Sequence, residues 1–185
     1  VFHADILRLD LAVLFDERPF YVVANLPYYI TSAILRRLLE TRPRPARLVI
    51  TVQREVADRL VAAPGDLSLL GVSVQFYGHP QIAMRLNPAA FWPRPDVESA
   101  VVRIDVYPHP PVAVPDEQTF FRVVRAGFSQ KRKQLRNALG SGLGIGKAAA
   151  DALLGQAGIE PHRRAETLTL EEWAALARAL VEAGQ

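Results

Sequence analysis

Residues 20–29 read Phe20-Tyr-Val-Val-Ala-Asn25-Leu26-Pro27-Tyr28-Tyr29, an apolar run that passes directly into an amide, a proline and two tyrosines. An apolar run without alternation predicts a strand buried on both faces, as in parallel sheets that helices cover. The carboxyl end of such a strand is where open α/β sheets hold their ligands. An amide and flat rings at that end indicate a pocket for a planar, amine-bearing group.

The residues after this strand suit the chemistry of a base amine. An exocyclic amine on adenine or cytosine is a poor nucleophile because its lone pair is delocalised into the ring. If the Asn25 side-chain oxygen and the Leu26 carbonyl both accept hydrogen bonds from the amine, its lone pair can point at an electrophile. Pro27 restricts Leu26 and has no N–H of its own, and Tyr28 offers a ring on which an unstacked base can lie. The same residues also fit a plain strand-ending turn.

Three motifs of the chain resemble those of one family. Asn25-Leu26-Pro27-Tyr28 matches the motif of adenine-N6 methyltransferases that act on ribosomal RNA. Residues 91–102, Phe-Trp-Pro-Arg-Pro-Asp-Val-Glu-Ser-Ala-Val-Val, look like the second signature of that family. Residues 128–139, Phe-Ser-Gln-Lys-Arg-Lys-Gln-Leu-Arg-Asn-Ala-Leu, resemble the basic helix of its small-subunit dimethyladenosine transferase branch. The likeness covers essentially the whole chain.

This resemblance implies an enzyme that depends on S-adenosylmethionine. Its implied substrate is the N6 amine of two adjacent adenines near the 3′ end of the small-subunit ribosomal RNA, in immature small ribosomal subunits. Two alternatives stay open, a non-catalytic RNA-binding or ribosome-assembly module and an adenine methyltransferase that acts on large-subunit ribosomal RNA.

The same resemblance assigns roles to individual residues. Asn25, Leu26 and Pro27 would position the amine, while Tyr28 and Phe91 would enclose the base from opposite faces. A base held this way must leave its stack. Asp5 and Asn25 would bind the cofactor. In the family, an acidic residue at the place of Asp5 accepts a hydrogen bond from the adenine amine of the cofactor, and Asn25 lies at the end of the strand beside it.

Methyltransferases of this class carry a glycine-rich cofactor loop, which cannot be placed before Val1. We therefore expect a C-terminal or processed part of a longer enzyme, inactive alone. The glycines of residues 140–146 do not replace that loop because they follow a predicted helix, and they predict a flexible turn. The strand ending at Ala24 would lack its neighbour, which predicts an exposed apolar edge that a second copy can contact.

Positive charge is concentrated between Gln118 and Ala150, where the sequence has no Asp or Glu. The formal net charge of the whole chain is only +3. A stretch that carries only positive charges predicts a helix that faces RNA phosphates. Such a stretch is also common on helix faces that are simply exposed to solvent. The candidate RNA contacts are Arg125, Lys131, Arg132, Lys133 and Arg136.

Length and composition agree with part of one domain and a second, smaller one. The βαβ rhythm of the first part predicts an α/β fold with a parallel sheet. The resemblance implies that residues 1–107 form part of a Rossmann-like methyltransferase sheet, mostly parallel with one antiparallel strand. Residues 108–115 read as a Pro-rich linker, and 116–185 as a small all-helical RNA-binding domain. The chain has no Cys and only 4 scattered His, so we propose no metal site. No segment has the length of a membrane span, and we expect a cytoplasmic protein.

Local patterns predict the individual elements. Strands are expected to end at Asp5 and Ala24 and to cover 48–52, 81–86 and 101–106, with helices over 31–40, 53–63, 66–77 and up to Glu182. Thr31 or Ser32 is expected to cap the first of these helices, and Thr169 with Glu172 predicts a capping box on the last. Trp92 is expected to pack beneath its loop.

Overall fold

The computed structural model describes residues 1–16 and 18–184. In these ranges four strands, β1 (Tyr21–Asn25), β2 (Arg47–Gln53), β3 (Gly78–Leu86) and β4 (Ser99–Val106), form one sheet of order β1-β2-β4-β3. β1 is parallel to β2, and β4 is antiparallel to both β2 and β3. Three strands therefore share a direction that β4 alone opposes, which confirms the predicted mixed sheet.

The chain divides into two compact units, one of Val1–Val61 with Ser73–Pro110 and one of Ala62–Val72 with Pro111–Gln185. The helices before the last strand are α1 (Leu11–Phe15), α2 (Thr31–Glu40), α3 (Arg54–Leu60) and α4 (Leu69–Tyr77). Those after it are α5 (Glu117–Phe128), α6 (Leu135–Gly142), α7 (Gly146–Gln156) and α8 (Leu170–Glu182). None of the helices in the described ranges combines the length and the apolar character needed to cross a bilayer.

Helix α2 has the predicted bounds but not the predicted cap. Ile30 occupies the cap position and makes no side-chain cap, while the Thr31 hydroxyl donates to the Pro27 carbonyl at 3.1 Å. Thr31 therefore lies inside the first turn, tied back to the end of β1. The buried face consists of Ile34, Leu35, Leu38 and Leu39, the stripe that the sequence predicts.

Strand β1 is not buried on both faces, so that prediction is wrong. Its side chains alternate between exposed and half-buried, with Tyr21 68% and Val23 82% exposed. Residues 21, 23 and 25 point to one face of the sheet, and no described element covers that face at β1. β1 is also an edge strand, with β2 as its one strand neighbour among the described residues. An exposed apolar edge is present, as expected, and its contact with a second copy stays a prediction.

The strand expected at residues 1–5 does not form. The Asp5 carbonyl accepts from the N–H groups of Arg8 and Leu9, both at 3.0 Å, which makes a turn. A strand needs a partner for its ladder, and within the described ranges none lies beside these residues.

Helix α8 begins at the predicted capping box. The Thr169 hydroxyl accepts from the Glu172 N–H at 3.2 Å, and the Glu172 carboxylate accepts from the Thr169 N–H at 2.8 Å. The Arg163 guanidinium also binds this carboxylate, and this hydrogen bond lowers the pKa of Glu172. Trp173 follows in the first turn and is completely buried.

The glycines at 140–146 do not form one flexible turn. Gly140 and Gly142 belong to α6, and residues 143–145 make the short connection to α7. A Cβ atom added to Gly142 would lie 2.7 Å from the Ala126 Cα atom of α5. Glycine therefore permits a close approach of two helix backbones at this position.

Candidate active site and nucleic-acid interface

The Asn25-Leu26-Pro27-Tyr28 segment leaves the sheet at the carboxyl end of β1. Asn25 lies opposite Thr51 of β2, and the Leu26 N–H donates to the Thr51 carbonyl at 3.1 Å. Leu26 is buried among the core side chains. Backbone pairing with β2 therefore extends one residue past β1 and holds the segment at the carboxyl end of the strand.

Two oxygen acceptors at this edge are free of partners within the described part of the chain. The Asn25 side chain is exposed and makes no hydrogen bond there, and neither does the Leu26 carbonyl. Pro27 takes extended geometry, with φ −60° and ψ 126°, and its carbonyl accepts from the Ile30 N–H at 3.2 Å. Both oxygens thus keep their capacity to accept a hydrogen bond, and the binding of an amine by them stays a prediction.

Tyr28 is joined to the second motif by a hydrogen bond. Its phenol oxygen lies 2.7 Å from the Ser99 hydroxyl, at the start of β4. Tyr28 is half-buried and opens a single-turn 3-10 helix over Tyr28–Ile30. Sequence reasoning missed Ser99 because the two residues are 71 positions apart, and its place inside the second motif was the signal that could have found it.

Phe91 lies in the loop that leads to the same strand. A single turn of 3-10 helix, Pro88–Ala90, precedes it, and the Asn87 side chain caps that turn by accepting from the Ala89 N–H at 2.9 Å. The Phe91 N–H donates to the Pro88 carbonyl at 3.2 Å, and its ring is half-buried.

Trp92, next in this loop, is 97% exposed, so the expectation that it packs beneath the loop is wrong. Residues 92–94 and 96–98 are all exposed. Almost none of the Trp92 indole is therefore covered by described residues.

Asp5 is engaged locally. Its carboxylate accepts from the Leu7 N–H at 2.9 Å and lies 3.7 Å from the Arg8 guanidinium. Both partners are close in the chain, and the side chain is 53% exposed. A carboxylate offers about four acceptor positions, so Asp5 keeps the capacity to accept from an amino group.

A cavity of about 340 Å³ lies beside the carboxyl end of β2, at the same end of the parallel strands as the motif. It is lined by Gln53, Arg54, Glu55, Val97 and Glu98. Arg54 and Glu98 form an ion pair there, and the Arg54 N–H donates to the Glu98 carbonyl at 2.9 Å. These bonds fasten the start of α3 to the residue before Ser99.

A larger cavity, of about 730 Å³, lies at the other end of the strands, beside the start of β2 and the end of β4. Ala46 precedes β2 and Val106 ends β4, so this cavity is away from the motif. Arg44 reaches the same region and stacks over the Tyr77 ring, 4.4 Å from its centroid. The residues described contain no group of three or more His, Cys, Asp or Glu side chains that could hold a metal ion.

The unit of Ala62–Val72 with Pro111–Gln185 is here called the helical unit, and most of its cationic side chains are exposed. Helix α5 ends at Phe128, and residues 129–134, here called the basic turn, connect it to α6. The predicted basic helix is therefore interrupted, because the Lys133 N–H donates to the Gln130 carbonyl in a turn. On α5 and the basic turn, the exposed cations without an ion pair to any described residue are Arg122, Arg125, Lys131, Arg132 and Lys133.

Arg136 differs from these cations. It pairs with Asp151 of α7, and both side chains are about 30% exposed. Asp151 is the first acidic residue after the one-sign stretch. The charge of Arg136 is thus compensated inside the helical unit, and its part in RNA binding stays a prediction.

Comparisons with known proteins show which family the chain belongs to. The family model described as ribosomal RNA adenine dimethylase matches residues 1–181. The ribosomal RNA small subunit methyltransferase A of Dehalococcoides mccartyi (strain 195) is 47% identical over 174 residues, which are 94% of this chain and 60% of that protein. The protein of the same name from Moorella thermoacetica is 50% identical over 86% of this chain and 56% of its own length. The chain thus spans about 60% of the length of such relatives.

Two crystal structures share the fold. A dimethyladenosine transferase from Plasmodium falciparum matches with a TM-score of 0.72 and 22% identity, over 89% of this chain and 68% of that one. The 23S rRNA methyltransferase ErmE matches with a TM-score of 0.70 and 24% identity, over 96% and 70% of the two chains. At this identity the likeness shows a Rossmann-like methyltransferase fold.

Proposed function

The chain belongs to the ribosomal RNA adenine dimethylase family, and from this premise we propose that it serves the transfer of methyl groups from S-adenosylmethionine to adenine N6. The target would be two adjacent adenines near the 3′ end of small-subunit ribosomal RNA, in immature small subunits. Relatives at 47% and 50% identity that are named small subunit methyltransferases support this choice over the large subunit.

The observation that carries the proposal is the pair of free acceptors at the end of β1. The Asn25 side-chain oxygen and the Leu26 carbonyl can each accept one N–H of the adenine amine. Hydrogen bonds of this kind favour a pyramidal nitrogen, so the lone pair is withdrawn from the ring and points away from both acceptors. When the new N–C bond forms, the sulfur–methyl bond of the donor would break and leave a neutral thioether, and the amine would lose one proton to water.

The two half-buried rings would hold the base during this step. The Tyr28 hydroxyl is hydrogen-bonded to Ser99, the first residue of β4, and Phe91 lies on the loop that leads to Ser99. Stacking on an aromatic side chain contributes about 1 to 3 kcal/mol per base, which offsets part of the cost of unstacking the adenine.

The residues present fit the cofactor in one respect. S-adenosylmethionine, when bound, supplies an electrophilic sulfonium methyl group. Asp5, with spare acceptor capacity, would accept from the adenine amino group of the cofactor, and Asn25 would lie on the cofactor side of the base. These two assignments rest on the resemblance and on the exposure of both side chains.

RNA would be held by phosphate contacts from the helical unit. The proposed phosphate contacts are Arg125 of α5 and Lys131, Arg132 and Lys133 of the basic turn. Arg136, which is paired with Asp151, would be a further contact. Such contacts fix the register of the RNA and carry no base specificity.

Asn25→Ala in the complete protein tests the proposal. Loss of one preorganised hydrogen-bonding group lowers turnover by about 10² to 10³, and we expect RNA affinity to change less than twofold because the phosphate contacts remain. The matched control is Gln81→Ala, which removes an exposed amide from β3 of the same sheet. Labelled methyl groups should be mapped on both subunit RNAs.

The outcomes separate the competing functions. Normal turnover by Asn25→Ala contradicts the role given to this side chain. A wild-type protein that binds RNA but adds no methyl group favours the non-catalytic module. Label in the large-subunit RNA alone overturns the proposed target.

A further inference from the structure

We propose that Ser99 is a positioning residue whose buried hydroxyl fixes the ring of Tyr28 in the orientation that receives the adenine base. The inference rests on the proposed function, in which Tyr28 stacks on the base. It goes beyond that function because it assigns a role to a side chain that does not touch the base.

The first observation is the hydrogen bond itself. The Tyr28 phenol oxygen and the Ser99 hydroxyl oxygen are 2.7 Å apart, a normal length for two hydroxyl groups. Ser99 is 1% exposed, and its hydroxyl has this single partner among the described residues. A buried hydroxyl without a partner is costly, so the bond to Tyr28 accounts for a polar group at this depth.

The second observation is where Ser99 sits. It is the first residue of β4 and lies between two neighbouring strands, opposite Gln53 of β2 and Leu86 of β3. Pairing on both sides holds its backbone, and the short serine side chain has a single rotatable bond before the oxygen. The hydroxyl is therefore a rigid anchor.

The third observation is that Tyr28 needs such an anchor. It follows the extended Pro27 and begins a single helical turn, and its ring makes no stacking contact with another ring of the described residues. A hydrogen bond at the far end of the ring restricts rotation about χ1, which would otherwise swing the ring away from the sheet edge.

The anchor also relates the two rings of the proposed base site. The loop that carries Phe91 ends at Ser99, eight residues later. Tyr28 is tied to the same residue by its hydroxyl. A change at Ser99 therefore alters the ring on one side of the base relative to the loop on the other.

The test is a double-mutant cycle of Tyr28→Phe and Ser99→Ala in the complete protein. Each variant removes the same hydrogen bond, and Tyr28→Phe keeps the ring. We expect each single variant to lower kcat about three- to tenfold, the range for a neutral hydrogen bond, with the RNA KM within twofold. The double variant should be no slower than the slower single variant, because both changes break one interaction.

Ser73→Ala is the matched control, since Ser73 is also a buried serine but lies in α4. It should lower stability without lowering kcat. Additive losses in the double variant, or losses confined to stability, overturn the inference. If Ser99→Ala does not fold, Tyr28→Phe with unchanged kcat overturns it equally.

A second measurement does not depend on activity. Three-bond couplings of isotope-labelled tyrosine report whether the Tyr28 χ1 angle occupies one rotamer. We expect one rotamer in the wild type and averaged couplings in Ser99→Ala, while one unchanged rotamer in Ser99→Ala overturns the inference. An inactive wild type that still shows this change refutes the proposed function and leaves the positioning of the ring supported.

Discussion

Gly142→Ala should destabilise the helical unit, although alanine normally favours helices. The new Cβ atom would lie 2.7 Å from the Ala126 Cα atom, 2.8 Å from its Cβ atom and 3.0 Å from its carbonyl oxygen. Two of these three atoms belong to the backbone, so α5 and α6 must separate to relieve the overlap. Overpacking of this kind costs about 1 to 3 kcal/mol, which exceeds the gain of up to about 1 kcal/mol from helix propensity.

Gly155→Ala in α7 is the matched control. A Cβ atom there meets no other atom within 4 Å, and its φ is not positive. The same substitution should therefore stabilise the unit by about 0.5 to 1 kcal/mol. The two variants are expected to change stability in opposite directions.

Fluorescence during urea unfolding measures both effects. The chain has 2 Trp, and Trp173 is fully buried in the helical unit, whereas Trp92 is exposed in the other unit. In a Trp92→Phe background the signal comes from Trp173 alone, so the midpoint reports the helical unit. A Gly142→Ala protein as stable as its parent would refute the reasoning from the close helix approach.

Two further predictions concern charge. Replacing Lys131, Arg132 and Lys133 with Gln should weaken RNA binding and flatten the slope of log K against log salt by about 0.7 to 0.9 for each phosphate that the protein no longer neutralises, as measured by binding titrations at several salt concentrations. An unchanged slope would place the basic turn away from the RNA. Because the Arg163 guanidinium lowers the pKa of Glu172 from its usual 4.5, the unfolded state binds more protons near and below that pH, and stability falls as the pH decreases through this range. Glu172→Gln keeps an acceptor for the cap and should show a smaller fall in the urea midpoint over the same range, so equal falls would contradict this assignment.

Several elements were predictable because local patterns determine them. The apolar stripe of α2, the strand at 48–52 and the capping box of α8 each depend on residues within one or two turns. Their bounds agree with the structure to within a residue or so. Other bounds moved further, since β3 begins at Gly78 and α3 ends at Leu60, where sheet pairing and packing decide the ends.

Burial was less predictable than element type. The apolar run of β1 reads as a buried strand, yet Val23 is exposed because no described element covers its face of the sheet. Trp92 reads as a packing residue, yet no described surface covers it. Side-chain exposure depends on what lies across space, and periodicity along the chain does not contain that information.

The sequence by itself determined which residue types stand at the end of β1 and which family the chain belongs to. The order of amide, apolar residue, proline and tyrosine indicates an amine-binding edge, and together with the two later motifs it identifies the family. Each of these motifs is a continuous stretch of sequence, so the residues within the stretch suffice to specify it.

Only the tertiary structure decided which residues far apart in the sequence form hydrogen bonds or ion pairs with the residues of these motifs. It joined Tyr28 to Ser99, and it paired Arg136 with Asp151, which removes one cation from an apparently uniform basic stretch. Both pairs form because the sheet and the helix packing bring separate segments within hydrogen-bond distance. Hydrogen bonds and ion pairs depend on distances in space, and the fold alone sets those distances.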